Sequence, residues 1–283
     1  MSLSTTEKLA YTTVRIECKY MDGNTGTGTG FFMRFLDNTE TGQHIPVIIT
    51  NKHVVNDIKH GIAVEGKVLF TKSDENTMPI NEEHFGFVFS NFGNLWEYHT
   101  DPDIDLCAMP IAPYVKKAEE QNERLFYVAL PSNIIPNENQ LHDFFEVEDI
   151  LMVGYPNGLW DYKNNKPIFR KGITATNVNT DYCGRKEFLI DAACIPGSSG
   201  SPVFIYNEGS YTGRDNSLYA GSRLFLVGVL YAGPQMTVGG NIQIIDVPTV
   251  QVPMAVSNIP INLGNVIKAE CIKSLETQFS QKY

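Results

Sequence analysis

A glycine- and serine-rich segment in the second half of the chain has the composition of a turn that holds a nucleophilic serine. Residues 197–202 read GSSGSP, follow an apolar run and precede the β-type stretch VFIY at 203–206. A serine hydroxyl attacks a carbonyl well only when a base takes its proton and N–H groups receive the developing negative charge. Flanking glycines allow a tight turn that directs consecutive N–H groups into one hollow. The alternative interpretation is a polar turn between two strands, which is what most Gly/Ser clusters are.

Two upstream residues are candidates for the base and its carboxylate partner. The segment PVIITNKHVV at 46–55 reads as a buried strand that ends in His53, and DIDLCAM at 103–109 places Asp105 at the start of an apolar strand. A histidine has a pKa suited to accepting and returning a proton near neutral pH, and a carboxylate fixes its tautomer and stabilises the imidazolium. The order histidine, aspartate, serine favours nucleophilic hydrolysis over a polar turn.

Five segments of the chain resemble motifs of trypsin-like serine peptidases, which have the chymotrypsin fold. TNKHVV at 50–55 is similar to the family's Thr-Ala-x-His segment, and DLCAM at 105–109 to its Asp-Ile-x-Leu segment. GSSGSP at 197–202 is similar to its Gly-Asp-Ser-Gly-Gly-Pro segment. GTGFF at 28–32 and VGYPNG at 153–158 resemble segments of HtrA-type and other bacterial trypsin-like proteins. The matches occur in chain order across most of the sequence.

The resemblance implies a role for each candidate residue. His53 would be the general base, Asp105 would orient it, and Ser199 would be the nucleophile. The N–H groups of Gly197 and Ser199 would form the oxyanion hole, which receives the charge on the substrate oxygen. The site would then need no metal and no organic cofactor.

Close neighbours compete with two of these assignments. Ser198 and Ser201 flank Ser199, which stands two residues after the motif's first glycine, at the nucleophile's place. Asp103 competes with Asp105; Asp105 leads directly into the apolar strand as the family's aspartate does, whereas Asp103 suits a turn, and the choice stays open. None of the other five histidines has a comparable context; the five are His44, His60, His84, His99 and His142.

The resemblance also implies a substrate pocket. Ala193, six residues before Ser199, stands where the family has its pocket base. Leu230, Tyr231 and Ala232 resemble its substrate-binding strand. A neutral base disfavours lysine or arginine at P1, the substrate residue before the scissile bond.

Two positions depart from the family pattern. Secreted trypsins carry an aspartate just before the nucleophile, and its carboxylate pairs with a new N-terminal amine after zymogen cleavage; this chain has Ser198 there. Activation by that ion pair is therefore not expected, and HtrA-type enzymes also lack the aspartate. Ser201 replaces the motif's second glycine, which adds a Cβ close to the active loop.

The elements that must position these residues are predicted to be mostly strands. A chain of 283 residues with 42% apolar content has room for a sizeable core, and its 15 prolines, 23 glycines and short Val/Ile/Phe/Tyr runs favour an all-β fold. Strands are predicted at 11–20, 31–35, 44–50, 62–71, 85–89, 150–154, 168–177, 187–191, 203–206 and 224–231. Helices are predicted at 114–125, as a connector, and at 263–279, where apolar residues recur at helical spacing.

With the resemblance, these elements imply two six-stranded antiparallel β-barrels with a C-terminal helix. The first barrel and the connector helix would occupy residues 1–125 and carry His53 and Asp105. The second barrel would occupy residues 126–283 and carry Ser199 and the terminal helix. The triad would assemble in the cleft between them.

Charge and cysteine content limit the partners and the compartment. A net charge of −10 argues against nucleic acid or an anionic membrane as the main partner. The first ten residues lack a secretory signal and no apolar run is long enough to span a bilayer, so a cytoplasmic location is expected if residue 1 is the native start. The 5 cysteines are scattered without metal-ligand spacing and are expected to be reduced and mostly in the core.

These observations favour a serine endopeptidase that cuts a protein or peptide through an acyl-enzyme; whether a regulatory partner exists stays open. A second hypothesis is an inactive protein of the same fold that binds protein segments in the cleft. A third is a structural β protein whose motifs coincide by chance. Covalent labelling by a fluorophosphonate separates the first hypothesis from the others, and peptide binding without labelling separates the second from the third.

Overall fold

The computed structural model describes residues 3–38, 40–233, 235–241, 254–260 and 262–282. In this part of the chain, antiparallel strands form one large curled sheet, one closed barrel and two separate hairpins. Five short helices accompany them, the last at the C-terminus. The predicted all-β class with a C-terminal helix is confirmed.

The first sheet carries the N-terminal half of the chain. Its strands are β1 (Thr13–Tyr20), β2 (Thr25–Asn38), β3 (Gln43–Thr50), β4 (Asn56–Asp57), β5 (Gly61–Ser73), β6 (Pro79–Ser90), β7 (Glu97–Tyr98), β8 (Cys107–Pro110) and β9 (Leu125–Phe126). Its order is β4-β5-β1-β2-β3-β8-β7, and β6 and β9 both pair with β5. Three of the nine strands, β4, β7 and β9, have two residues each, and the sheet is a curled half-barrel; the closed barrel among the described residues is the second sheet.

The second sheet closes into a six-stranded barrel. Its strands, in the order in which they pair, are β10 (Asp149–Gly154), β11 (Ile168–Thr174), β12 (Glu187–Asp191), β19 (Leu263–Lys268), β16 (Arg223–Ala232) and β13 (Pro202–Asn207). The two hairpins outside it are β14 (Ser210–Thr212) with β15 (Leu218–Ala220), and β17 (Gln235–Asn241) with β18 (Met254–Pro260).

Helices occupy the connections and the end of the chain. They are α1 (Thr5–Leu9), α2 (Lys52–Val55), α3 (Ala112–Glu120), α4 (Glu138–His142) and α5 (Glu270–Ser280). Short 3₁₀ turns lie at Phe92–Leu95, Ser132–Ile134 and Pro156–Gly158. The connector helix α3 ends before the predicted 125, because Leu125 and Phe126 form β9 against β5. The division of the chain between residues 125 and 126 stays a prediction. No helix of the described residues is long and apolar enough to cross a membrane.

The predicted start of the terminal helix, at 263, was wrong. Residues 263–268 form β19, which pairs with β12 on one side and β16 on the other and so closes the barrel. A short apolar run fits a strand and a buried helix equally well, and here the two free strand edges decide in favour of the strand. The helix α5 begins at Glu270 and buries Cys271, Ile272, Leu275 and Phe279.

A shared apolar core joins the two sheets and sets the cleft between them. It contains Phe31 and Ile49 of the first sheet, Val153 and Phe204 of the barrel, and Leu275 of α5. Because the same cluster packs against both sheets, residues at their facing ends are held in a fixed relation.

Four of the five cysteines lie in the core, as predicted. Cys18, Cys107, Cys194 and Cys271 are buried, and Cys183 is exposed. Burial raises the pKa of Cys18 to about 12 and that of Cys194 to about 11. These thiols are therefore protonated at neutral pH and poor nucleophiles.

Candidate active site

His53 lies in the one-turn helix α2, directly after β3. The segment 46–55 was interpreted as a strand that ends in His53, whereas the strand itself was predicted at 44–50; it ends at Thr50, and His53 lies beyond it. Asn51 turns the chain there: its side chain is fully buried, and its amide donates to the carbonyl oxygen of Asp105 at 2.8 Å. The loop before β8 is thereby fixed beside the helix that carries the imidazole.

Both carboxylate oxygens of Asp105 face His53. The Nδ1 of His53 lies 2.5 Å from Oδ2 of Asp105, and the backbone N–H of His53 donates to Oδ1 at 3.1 Å. A carboxylate oxygen accepts, so Nδ1 carries a proton, and in the neutral imidazole the lone pair is then on Nε2. The two side chains are 32% and 23% exposed, so the pair lies at the edge of the cleft and not in the core.

Asp103, the rival carboxylate, lies elsewhere. It is exposed, and its backbone N–H donates to Oδ1 of Asp101 at 2.9 Å, in the turn that precedes Asp105. Lys52 holds that turn by donating to the carbonyl of Asp101 at 2.8 Å. The geometry therefore brings Asp105, and not Asp103, to the imidazole of His53.

The loop that carries these aspartates is anchored to the C-terminal helix. Nε2 of His99, a buried histidine, lies 2.7 Å from Oγ of Ser274, and the N–H of Thr100 donates to Oε1 of Gln278 at 3.3 Å. Burial, with the nearby charge of Lys52, lowers the pKa of His99. His99 is therefore neutral at physiological pH and serves as a fixed hydrogen-bonding link.

Ser199 lies in the serine turn (residues 195–201), which leads into β13. Gly197 and Gly200 have φ of +84° and +86°, the left-handed region that favours glycine. A Cβ on Gly197 would lie 2.8 Å from the backbone nitrogen of Asn157, and one on Gly200 would overlap the carbonyl of Thr29. Both glycines of the motif are therefore required by conformation and by space.

Between Gly197 and Ser201, two N–H groups are unpaired among the described residues, those of Gly197 and Ser199. The other three donate to backbone carbonyls: Ser198 to Ile195 at 3.1 Å, Gly200 to Leu230 at 2.8 Å and Ser201 to Ser198 at 3.0 Å. The unpaired groups are the two that the sequence assigned to an oxyanion hole.

The hydroxyl of Ser199 bonds to a backbone carbonyl and not to the imidazole of His53 in the described residues. Its Oγ donates to the carbonyl of Tyr231 at 3.3 Å. Within the described chain, no hydrogen bond joins it to Nε2 of His53. Such bonds are often long or absent before substrate binds, and a χ1 rotation moves the hydroxyl at the cost of one weak bond.

The four residues predicted to bind substrate differ in their surroundings. Ala193 is exposed, and its carbonyl accepts a hydrogen bond from the guanidinium of Arg170, a residue that the sequence did not single out. Leu230 is buried and pairs with the serine turn through both backbone groups, so it supports that turn. Ala232 is exposed; Tyr231 is half-buried, and its hydroxyl donates to Glu187.

The position of the activation aspartate holds a buried, uncharged group. The side chain of Ser198 is 1% exposed, and its Oγ has no hydrogen-bond partner within the described residues. No group of three or more His, Cys, Asp or Glu side chains in the described part of the chain could hold a metal ion.

Comparisons with known proteins identify the family of the chain. The model of a trypsin-like peptidase domain matches residues 28–213, and no curated protein matches the chain. Among solved structures, the thermostable serine protease AL20 from an extremophilic microorganism is similar at 11% identity and a TM-score of 0.49, over 98% of this chain and 100% of that chain. Deg5 is similar at 17% identity and a TM-score of 0.42, over 82% of this chain and 88% of that chain. The protease Anisep from Arthrobacter nicotinovorans is similar at 11% identity and a TM-score of 0.41, over 92% of this chain and 90% of that chain.

Proposed function

Because the chain belongs to the trypsin-like peptidase family, whose domain model covers residues 28–213, we propose that it hydrolyses peptide bonds with a triad of Ser199, His53 and Asp105. Membership makes the protein a serine protease; the triad and the acyl-enzyme are the proposal. One observation supports it most. Asp105 fixes the imidazole of His53, while the two N–H groups that flank the position of an attacked carbonyl are left unpaired.

Acylation uses each of these groups once. The Ser199 hydroxyl turns from the carbonyl of Tyr231 and gives its proton to Nε2 of His53 as Oγ bonds to the substrate carbonyl carbon. The N–H groups of Gly197 and Ser199 bind the oxyanion, and Asp105 stabilises the imidazolium. His53 then protonates the leaving amine, the C–N bond breaks, and the acyl group stays on Oγ.

Deacylation repeats the steps with water. His53 takes a proton from a water molecule, whose oxygen bonds to the acyl carbon. The second tetrahedral intermediate uses the same two N–H groups, and its collapse returns the proton to Oγ of Ser199. With an activated ester as substrate, acylation outpaces deacylation, so we expect a burst of product equal to the enzyme concentration. Linear product release without a burst, at an enzyme concentration that would reveal one, counts against an accumulating acyl-enzyme.

The predicted pocket favours small or medium uncharged P1 side chains. A charged side chain bound against Ala193 would lose part of its hydration, with no opposite charge bonded at that position to compensate. The guanidinium of Arg170, bonded to the carbonyl of Ala193, adds a positive charge that further opposes lysine and arginine. A positional peptide library measures the preference directly.

Arg170→Gln is the matched variant for this prediction. Glutamine still donates a hydrogen bond but carries no charge, so discrimination against lysine at P1 should weaken while uncharged residues remain preferred. A library in which lysine and arginine dominate for the wild-type protein contradicts the prediction. Asp191, whose side chain is exposed near Ala193, would then have to supply the pocket's charge.

Activity should not depend on a free N-terminal amine. The amine of a trypsin pairs with an aspartate that this chain replaces by Ser198, and an uncharged hydroxyl does not replace the carboxylate in that ion pair. Protein acetylated at Met1 during expression should therefore hydrolyse peptides at the rate of the unmodified protein. Expression-based acetylation leaves lysines unmodified, so a loss of activity would show that the amine itself is needed.

We also propose a cytoplasmic location and a protein or peptide substrate, without a nucleic-acid or membrane partner. Unpaired, mostly buried cysteines are typical of a reducing compartment, and the net charge of −10 opposes binding to polyanions. The division into a first unit of residues 1–125 and a second unit of 126–283 belongs to the same proposal.

The second candidate function is peptide binding without hydrolysis. The observation in its favour is the Ser199 hydroxyl, which bonds to Tyr231 and not to His53. It predicts that peptides bind in the cleft and that no covalent adduct forms with a fluorophosphonate.

A further inference from the structure

The serine turn needs another means of support, because the ion pair that orders it in trypsins is absent. An oxyanion hole depends on the orientation of a few peptide groups, since rotating one by half a turn replaces an N–H by a carbonyl oxygen. Accounting for each carbonyl of the turn therefore identifies what holds the hole open.

Every carbonyl between Pro196 and Ser199 has a donor. Pro196 accepts from the N–H of Asn157 at 2.5 Å, and Ser198 accepts from the N–H of Ser201 at 3.0 Å. The other two carbonyls, those of Gly197 and Ser199, accept from Thr29. Its hydroxyl donates to the carbonyl of Gly197 at 3.3 Å, and its N–H donates to the carbonyl of Ser199 at 2.9 Å.

The hydroxyl of Thr29 also holds the neighbouring segment. Thr29 lies on β2 with its side chain fully buried, and Oγ1 accepts from the N–H of Tyr155 at 3.0 Å. Tyr155 begins the turn whose Asn157 fixes the carbonyl of Pro196, and hence the orientation of the Gly197 N–H in the same peptide group. Thr29 therefore bonds directly to the Gly197–Ser198 peptide group, and it supports the Pro196–Gly197 group, which carries the oxyanion-hole N–H of Gly197, through the turn that Tyr155 begins.

Ser201, the departure from the family motif, completes this arrangement. It is fully buried, and its Oγ donates to Oγ1 of Thr29 at 3.3 Å. A hydroxyl has one proton and two lone pairs, so the Thr29 hydroxyl is saturated by Gly197, Tyr155 and Ser201. Gly154 provides the space, because a Cβ there would lie 2.8 Å from Oγ1 of Thr29 and overlap Oγ of Ser201.

We propose that Thr29, reaching from the first sheet into the second barrel, is the positioning residue that holds the oxyanion hole open in place of the activation ion pair. The proposal rests on the proposed function for its catalytic meaning. The carbonyl of Thr29 is in turn held by Oγ1 of Thr50 at 2.7 Å, three residues before His53 on the chain. The hole and the histidine are thus tied to the same pair of strands, β2 and β3.

The test is Thr29→Val, which keeps the side-chain shape and both backbone hydrogen bonds and removes the three hydroxyl bonds. A misplaced oxyanion hole costs on the order of 10²-fold in kcat, with KM changed little, because the lost interaction belongs to the transition state. Thr29→Ser, which restores the hydroxyl, should recover most of kcat. If Thr29→Val does not fold, the kcat of Thr29→Ala, which lacks the hydroxyl, is compared with that of Thr29→Ser, which keeps it.

Thr12→Val is the matched control. Thr12 is also fully buried, and its hydroxyl donates to the carbonyl of Leu9 at 2.8 Å, outside the site. We expect it to lower the melting temperature less than Thr29→Val, because one hydroxyl bond is lost and not three, and to leave kcat unchanged. Hydrogen exchange of peptides that span residues 195–201 gives a readout without activity, and it should be faster in Thr29→Val alone.

The outcomes separate the two proposals. A loss of kcat with faster exchange in the serine turn supports the role of Thr29. A destabilised Thr29→Val whose kcat and exchange in the turn match those of the control overturns it. A wild-type protein that is inert towards peptides, with faster exchange in Thr29→Val, overturns the peptidase proposal and supports the positioning role.

Discussion

Replacement of Ser199 by alanine is expected to lower kcat for peptide hydrolysis on the order of 10⁶-fold, the loss found when a serine peptidase loses its nucleophile. The protein should stay folded, because within the described residues this hydroxyl makes one hydrogen bond, to the carbonyl of Tyr231 at 3.3 Å, and the side chain is only half-buried. Steady-state hydrolysis and the thermal unfolding midpoint measure the two effects.

Ser198→Ala is the control for that variant. The Ser198 hydroxyl is buried without a hydrogen-bond partner among the described residues, so its removal costs neither a bond nor a reacting group. We expect activity close to that of the wild-type protein. Activity retained in Ser199→Ala and lost in Ser198→Ala would assign the nucleophile to Ser198.

The second large effect is expected for Asp105→Asn, a loss of roughly 10⁴-fold in kcat. Asparagine keeps the shape of the side chain, but its NH₂ group can donate to Nδ1 of His53. The proton then resides on Nε2, and the imidazole can no longer accept the proton of Ser199. KM should change little, since the carboxylate does not contact substrate.

Asp103→Asn provides the comparison. Asp103 is exposed and lies in the turn before Asp105, with its N–H bonded to Asp101. A reduction of severalfold at most is expected, since this change leaves the carboxylate at Nδ1 intact. If Asp103→Asn instead causes the larger loss, the orienting role passes to Asp103.

Much of the scaffold follows from local pattern in the sequence. Strand β1 was predictable because Val14, Ile16, Cys18 and Tyr20 alternate with polar residues and face one core. Strand β12 was predicted with its observed bounds, Glu187–Asp191. In both strands the residues that face the core come from a single continuous segment, which a sequence pattern can represent.

Other features depend on contacts between distant segments. Residues 263–268 became a strand because β12 and β16 offer two edges to it, and neither edge is visible in the local spacing. His53 lies in a helical turn and not at the end of a strand, because the amide of Asn51 bonds to the carbonyl of Asp105, 54 residues away. Thr29 was singled out only as part of the segment GTGFF at 28–32, since its partners Tyr155, Gly197 and Ser201 are more than a hundred residues distant.

The most direct test of the central claim is to find the residue that a fluorophosphonate modifies in the wild-type protein. Intact mass should show one adduct per chain, and fragmentation of the digest should place it on Ser199. His53→Ala should abolish the adduct, because the hydroxyl is then not activated. An adduct on any other serine, or the absence of an adduct from protein that hydrolyses peptides, would contradict the account.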